Sequence, residues 1–181
     1  MMPENETRNK GRVLLFTGSG KGKTTAALGM VLRAAGHGMK CLVIQFVKAD
    51  STTGELAGCR ALSGVEMIQA GRGFVPDSAD PAFEEHCHAA REGFVLAENA
   101  LRTNDCHLLV LDEICLAVAK GLLAEQDVIA LVERADGETA VVMTGRGATA
   151  GLIAMADTVT EMHEVKHGFK DGWKAEKGIE H

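Results

Sequence analysis

A glycine-rich segment at residues 18–25, with the sequence GSGKGKTT, constrains this chain more than any other feature. An apolar run at residues 12–17 precedes it and a helical pattern at residues 24–35 follows it, so the segment joins a strand to a helix. Glycines lack a Cβ, which lets the backbone turn tightly and direct several N–H groups at one anion, and the helix N-terminus adds its dipole. The order of strand, glycine loop and helix predicts a polyphosphate site; the weaker alternative is a Gly/Lys-rich surface turn.

The loop is one residue shorter than the usual phosphate-binding pattern. That pattern places four residues between the first glycine and the Gly-Lys-[Ser/Thr] ending, whereas only three stand here between Gly18 and Gly22. The lysine before the threonines adds positive charge, and the first threonine hydroxyl can bind a metal ion. We expect a nucleotide to contact Gly18, Ser19, Gly20, Lys21, Gly22, Lys23, Thr24 and Thr25.

The rest of the chain alternates strand and helix patterns. Together with residues 12–17, strands are predicted at residues 39–46, 65–70, 106–112, 139–144 and 158–164, and further helices at residues 56–62, 81–102, 125–135 and 150–156. On the longest helix, Phe83, Cys87, Ala90, Phe94, Ala97 and Leu101 share one apolar face. This rhythm predicts an α/β fold with a mainly parallel sheet covered by helices on both faces, and a ligand at the carboxyl ends of its strands.

Length and composition predict a single domain over residues 1–181, with a polar N-terminal arm at residues 1–11 and a tail at residues 165–181. The hydrophobic content of 46% suffices for a full core. A net charge of −6 argues against a nucleic-acid partner. No apolar run approaches the roughly 20 residues that span a bilayer, and the polar start lacks the apolar centre of a secretory signal, so we expect no membrane partner and a cytoplasmic location. The five cysteines form no Cys-x-x-Cys pair and are expected to be reduced, mostly buried thiols.

Two motifs should meet the phosphate loop at the same sheet edge. The strand ending in Asp112 and Glu113 has the form in which a terminal acid holds magnesium directly or through water, so we expect these residues and Thr24 to bind the metal. A helix N-terminal acid pair is the alternative. The turn Thr-Gly-Arg-Gly after another buried strand should place Arg146 near the phosphates; the alternative is a solvated turn arginine.

A third segment follows the second strand. Gln45 and Lys48, together with Glu55 in a Thr-Gly-Glu sequence, are candidates for nucleotide contact, and a plain connecting loop is an equally acceptable interpretation.

In combination, these motifs resemble one enzyme family. GSGKGKTTAALG, VIQFVK, TGE, VLDEI, TGRG, ADTVTEM and the closing VKHGFKDGWKAEKGIEH are similar, in this order, to the phosphate-loop ATP:corrinoid adenosyltransferases. The resemblance covers about residues 11–181. It implies a RecA-like phosphate-loop fold, magnesium, ATP as co-substrate, a corrinoid substrate and a homodimer.

The resemblance also implies the reaction. The cobalt(I) of a corrinoid attacks the 5′ carbon of ATP and expels intact triphosphate, so no general base is required. Lys21, Lys23 and Arg146 would stabilise the leaving group, with magnesium on Thr24 and Glu113. The family binds the nucleotide in the reverse of the usual sense. The chain carries no flavin or iron–sulfur motif, so a separate reductase would supply electrons.

Two positions depart from the family pattern. Ser19 stands where asparagine is common. Phe74 matches a phenylalanine that lies under the corrin ring, and is expected to act in catalysis, but Pro76 replaces the tryptophan that usually accompanies it. The alternative for Phe74 is a loop residue that packs on the core. Trp173, the only tryptophan, lies in the tail, where anchoring is favoured over an interface role. Two other functions remain open on the sequence: a RecA-like NTPase or small-molecule kinase, and a non-catalytic carrier of ATP or corrinoid.

Overall fold

The computed structural model describes residues 10–179, and within them a six-stranded sheet forms the centre of the fold. Each strand pairs in parallel with its neighbours, in the order β3-β2-β4-β5-β1-β6. All the strands predicted from the sequence are present, with ends that differ by up to three residues. Their bounds are β1 Val13–Thr17, β2 Cys41–Gln45, β3 Val65–Gln69, β4 Leu108–Asp112, β5 Ala140–Thr144 and β6 Thr158–Glu161.

Helices cover both faces of the sheet, so the predicted α/β architecture is confirmed. One apolar cluster lies between the sheet and α1 and α2, and a larger one lies beneath α3, α4, α5 and α6. The predicted apolar face of α3 is found in the second cluster. The helix bounds are α1 Lys23–Gly36, α2 Gly54–Arg60, α3 Phe83–Thr103, α4 Ile114–Ala119, α5 Glu125–Val132 and α6 Ala150–Met155, followed by a 3₁₀ helix at Gly168–Asp171.

The strand order sets the positions of the predicted motifs. Strand β1, which leads into the glycine loop, lies between β5 and β6, and β5 separates it from the acidic strand β4. Because all six strands are parallel, the glycine loop, the acids after β4 and the Thr-Gly-Arg-Gly turn after β5 emerge at one edge. This arrangement agrees with the RecA-like fold expected from the motifs. Among the described helices, none combines the length and the apolar character that a membrane span requires.

Candidate functional site

The glycine loop packs tightly against the chain that follows β6. Gly18 and Gly22 have φ angles of 96° and 104°, which side-chain-bearing residues rarely adopt. A Cβ on Gly18 would lie 2.4 Å from the carbonyl oxygen of Met162. The N–H of Gly20 donates to this same oxygen at 2.7 Å. The glycines are therefore needed both for the turn itself and for the close approach of the Met162 backbone.

Lys23 holds the loop in shape from within. Its side chain is buried, and its Nζ donates to the carbonyl oxygens of Gly18 and Gly20 at 2.9 and 2.7 Å. Burial lowers the pKa of Lys23, and the positive charge of Arg146 lowers it further, against the opposing effect of Glu113 and other acidic groups. The ammonium thus lies inside the loop, where its charge faces the space available to an anion.

Asp112 ends β4 and is fully buried. Its Oδ1 accepts hydrogen bonds from the hydroxyls of Thr24 and Thr144 at 2.8 and 2.7 Å. Its Oδ2 accepts one from Nε2 of Gln45 at 2.9 Å. These three donors satisfy the carboxylate inside the protein, so Asp112 organises the site from behind rather than facing the cleft.

Glu113 follows in a left-handed conformation, with φ of 62°, and is the N-cap of α4. Its N–H donates to the Thr144 hydroxyl at 2.9 Å. Its Oε2 is buried and makes no hydrogen bond within the described residues. Burial and then the charge of Asp112 raise the pKa of Glu113, while the nearby cations Lys23, Lys48 and Arg146 lower it. Buried polar oxygens are usually hydrogen-bonded, so a buried carboxylate oxygen that lacks a hydrogen-bond partner in the described part of the chain is available to bind a cation.

The loop, α2, α4, the turn after β5 and the tail enclose a cleft of about 600 Å³. On its α2 side, Lys48 and Glu55 form an ion pair of 2.7 Å. Burial alone would raise the pKa of Glu55, but the hydrogen bond from Lys48 lowers it overall. The lining comprises Gly20, Lys21, Gly22, Lys23, Thr24, Thr25, Leu28, Lys48, Gly54, Glu55, Glu113, Leu116, Arg146, Gly178 and Ile179.

Most of the residues predicted for the site therefore line one cleft, and five do not: Gly18, Ser19, Gln45, Phe74 and Asp112. Gln45 was expected to contact the nucleotide but is fully buried beside Asp112. Asp112 was expected to reach the metal, but its oxygens are engaged by protein donors. Ser19 is exposed outside the lining.

Phe74 projects into solvent, 92% exposed, while the next residue, Val75, is buried in the core. A Cβ on Gly71 would lie 2.1 Å from the carbonyl carbon of Val47, and the N–H of Gly73 donates to the Val47 carbonyl at 2.7 Å. The loop is therefore held by the Val47 contacts before Phe74 and by the burial of Val75 after it.

Sequence reasoning missed two polar residues and the contribution of the tail to the cleft. Gln69 and Thr144 end β3 and β5, and their signal was the polar residue that closes an otherwise apolar strand, as in VEMIQ and AVVMT. Gly178 and Ile179 bring the tail to the cleft. Trp173 is 73% exposed, and a Cβ on Gly168 would lie 3.0 Å from its indole ring; the anchoring role expected for it stays a prediction. Residues 1–9 of the predicted arm, and Glu180 and His181 of the matching tail, lie outside the described residues.

Comparisons with known proteins identify the family to which this chain belongs. A family model described as ATP:corrinoid adenosyltransferase BtuR/CobO/CobP matches residues 9–181. The chain is 42% identical over 172 residues to the corrinoid adenosyltransferase of Pseudomonas aeruginosa, covering 94% of this chain and 84% of that protein. It is 37% identical over 172 residues to the corrinoid adenosyltransferase of Escherichia coli K12, covering 95% and 86%. For corrinoid adenosyltransferase CobA of Salmonella typhimurium the identity is 36% over 172 residues, with the same coverage. Because the family model spans nearly the whole chain, including the glycine loop and the tail, the chain belongs to the ATP:corrinoid adenosyltransferase family.

Proposed function

We propose that this protein transfers the 5′-deoxyadenosyl group of ATP to the cobalt(I) of a corrinoid and releases triphosphate, in adenosylcobalamin biosynthesis or salvage. Family membership over residues 9–181 carries the proposal. The cleft supports it, because a volume of about 600 Å³ suits a nucleotide and the walls place loop amides and several cations around it.

The reaction asks the protein for alignment and charge stabilisation. Cobalt(I) attacks the 5′ carbon, the cobalt–carbon bond forms as the carbon–oxygen bond breaks, and negative charge develops on the departing triphosphate. The loop amides, Lys21, Lys23 and Arg146 would stabilise that charge, and the fixed loop would hold ATP in line for attack. Cobalt(I) is itself a strong nucleophile, so activation by a base is not needed.

A magnesium ion fits the residues at the base of the cleft. Glu113 offers a buried carboxylate oxygen with no hydrogen-bond partner among the described residues, and Thr24 lines the same cleft. Asp112 would act indirectly, since its Oδ1 accepts a hydrogen bond from the Thr24 hydroxyl. The described residues form no cluster of three or more His, Cys, Asp or Glu around one point, so such an ion would share its coordination with substrate phosphates, as magnesium commonly does. When bound, it would neutralise part of the triphosphate charge.

The corrinoid would approach beside Phe74. Its exposed ring, carried on a loop fastened through Val75 and Val47, suits contact with a flat apolar surface. Pro76 leaves this wall without the usual tryptophan, so Phe74 would supply its aromatic part. We also propose that a separate reductase supplies electrons to the corrinoid, and that the protein acts as a cytoplasmic homodimer.

Product identification tests the proposal. Incubation with magnesium, ATP and chemically reduced cobalamin should release triphosphate and form a light-sensitive cobalt–carbon bond. ADP and phosphate as the only products would identify an NTPase or kinase instead. Tight binding of both substrates without any product would identify a carrier.

Two arginine variants make this experiment specific to the cleft. Arg146→Met removes a cation from the cleft and should lower kcat/KM by about 10²- to 10³-fold, as for loss of a group that stabilises developing charge. Arg134→Met removes an exposed arginine that pairs with Glu98 outside the cleft and should leave kcat/KM within about twofold.

A further inference from the structure

Four neighbouring strands end in polar residues whose side chains form a continuous polar ladder: Gln69, Gln45, Asp112 and Thr144. Gln45 is the in-register partner of Gln69 on one side and of Asp112 on the other. Nε2 of Gln69 donates to Oε1 of Gln45 at 3.0 Å, and Nε2 of Gln45 donates to Oδ2 of Asp112 at 2.9 Å. Thr144 donates to Oδ1 of Asp112 from the other side. The polar ladder therefore crosses the sheet from β3 to β5 just below the cleft.

The chemistry of Gln45 makes this arrangement directional. Its oxygen accepts from Gln69, so its NH₂ group must face Asp112; the flipped amide would set an oxygen against a carboxylate. Gln45 is fully buried. Burying a primary amide is costly unless it is hydrogen-bonded, and an apolar side chain would serve the core at less cost. The glutamine is better explained by what it does to Asp112 than by packing.

Asp112, oriented by Gln45, in turn orients Thr24 and Thr144 through hydrogen bonds. The Thr24 hydroxyl donates its hydrogen bond to Asp112. The lone pairs of the Thr24 oxygen therefore remain available to another ligand. Thr144 also donates to Asp112, which leaves its oxygen to accept the N–H of Glu113 and so fixes the start of α4. Both Thr24 and Glu113 are therefore aligned by groups that do not line the cleft.

We propose that Gln45 and Gln69 are positioning residues, which act through Asp112 to align Thr24 and Glu113 for cation-dependent binding of the ATP triphosphate. The inference rests on the proposed function for the identity of the ligand. Gln69 extends the polar ladder to the loop after β2, because its Nε2 also donates to the carbonyl oxygen of Asp50 at 3.0 Å. Alignment of the site thus depends on β3, a strand that contributes no residue to the cleft lining.

The test measures ATP binding by titration calorimetry in excess magnesium and again in EDTA. Gln45→Leu keeps a similar volume and removes both amide groups, and Gln69→Leu removes the outer amide at a half-buried position. We expect Gln45→Leu to weaken magnesium-dependent ATP binding by about 10- to 100-fold, the usual effect of losing a partner that orients a metal ligand. Gln69→Leu should give a smaller loss in the same direction. Binding in EDTA, which relies on the loop amides and Lys23, should change less than about threefold in both variants.

Gln126→Leu is the matched control, because it removes an exposed glutamine amide on α5 and should bind ATP like the wild type. Equal losses with magnesium and in EDTA would show general damage to the cleft and overturn the proposal. Unchanged magnesium dependence in folded Gln69→Leu protein would overturn it as well, even if Gln45→Leu fails to fold. Failure of the proposed function would be seen in a different experiment. The wild-type protein would then form products other than triphosphate and an adenosylated corrinoid, while its ATP binding could still depend on the polar ladder.

Discussion

Lys23 stabilises the phosphate loop in the ligand-free protein. Its ammonium is buried and bonded to two loop carbonyl oxygens, so its removal leaves both carbonyls without this partner. Hydrogen bonds from charged donors contribute about 1.5–3 kcal/mol each, and part of that is offset by desolvation of the ammonium. We expect Lys23→Met to lower the free energy of unfolding of the ligand-free protein by about 1–3 kcal/mol, measured by urea denaturation, and to lower ATP affinity at least about 100-fold.

Lys21 provides the comparison within the same loop. It lines the cleft but is exposed, so Lys21→Met should weaken ATP binding while changing the unfolding free energy by less than about 1 kcal/mol. Wild-type stability in ligand-free Lys23→Met protein would mean that this lysine serves the ligand alone.

The turn after β5 and helix α4 form one unit at the scale of elements. Gly145 has φ of 137°, and a Cβ there would lie 2.9 Å from the backbone nitrogen of Leu116 and 3.0 Å from Cβ of Cys115. Gly145→Ala should therefore displace α4 together with Glu113 at its N-terminus. We expect a loss of more than about 2 kcal/mol in unfolding free energy, from backbone strain and the clash together, and a further loss of magnesium-dependent ATP affinity.

Gly121→Ala separates strain from displacement. Gly121 also has a positive φ, of 77°, but a Cβ there would meet no atom within 4 Å. It should cost about 1 kcal/mol and leave ATP affinity unchanged. If Gly145→Ala and Gly121→Ala weakened ATP binding equally, displacement of α4 by the turn could not be the cause of the loss.

The elements also show where sequence reasoning reaches its limit. The apolar strands and the glycine loop have strong local patterns, so their existence and their order along the chain were predictable. Helix α4 was missed because ICLAVA is apolar throughout and follows Glu113 without a side-chain cap, so neither periodicity nor capping identifies it. The placement of Gln45 depends on which strands are neighbours, and a pattern within one strand does not contain that information. For Asp112, the sequence identified the acid, but only the packed sheet shows that three protein donors satisfy it.

At the scale of the whole molecule, two apolar cores hold the sheet, and all five cysteines are free and buried. Burial is the first cause that raises the pKa of each thiol. It raises the pKa of Cys106 to about 11 and that of Cys115 to about 12. As expected from the sequence, these are reduced thiols that pack as small apolar side chains.

These thiols predict a loss of stability in alkali. Above the unfolded thiol pKa, near 8.5, the unfolded chain releases protons that the folded protein keeps, so the unfolded state is favoured as pH rises. The stability they contribute is complete below about pH 8.5 and is lost as the pH rises through the folded values of about 11 for Cys106 and about 12 for Cys115. Each thiol that stays protonated only in the folded state contributes a slope of about 1.4 kcal/mol per pH unit.

Guanidinium unfolding at pH 8, 9 and 10 measures the effect, and Cys106→Ala should reduce the slope. Native protein at pH 8 should react with a thiol reagent far more slowly than unfolded protein, whereas rapid reaction of a thiol in the native state would contradict the burial on which the alkaline loss depends.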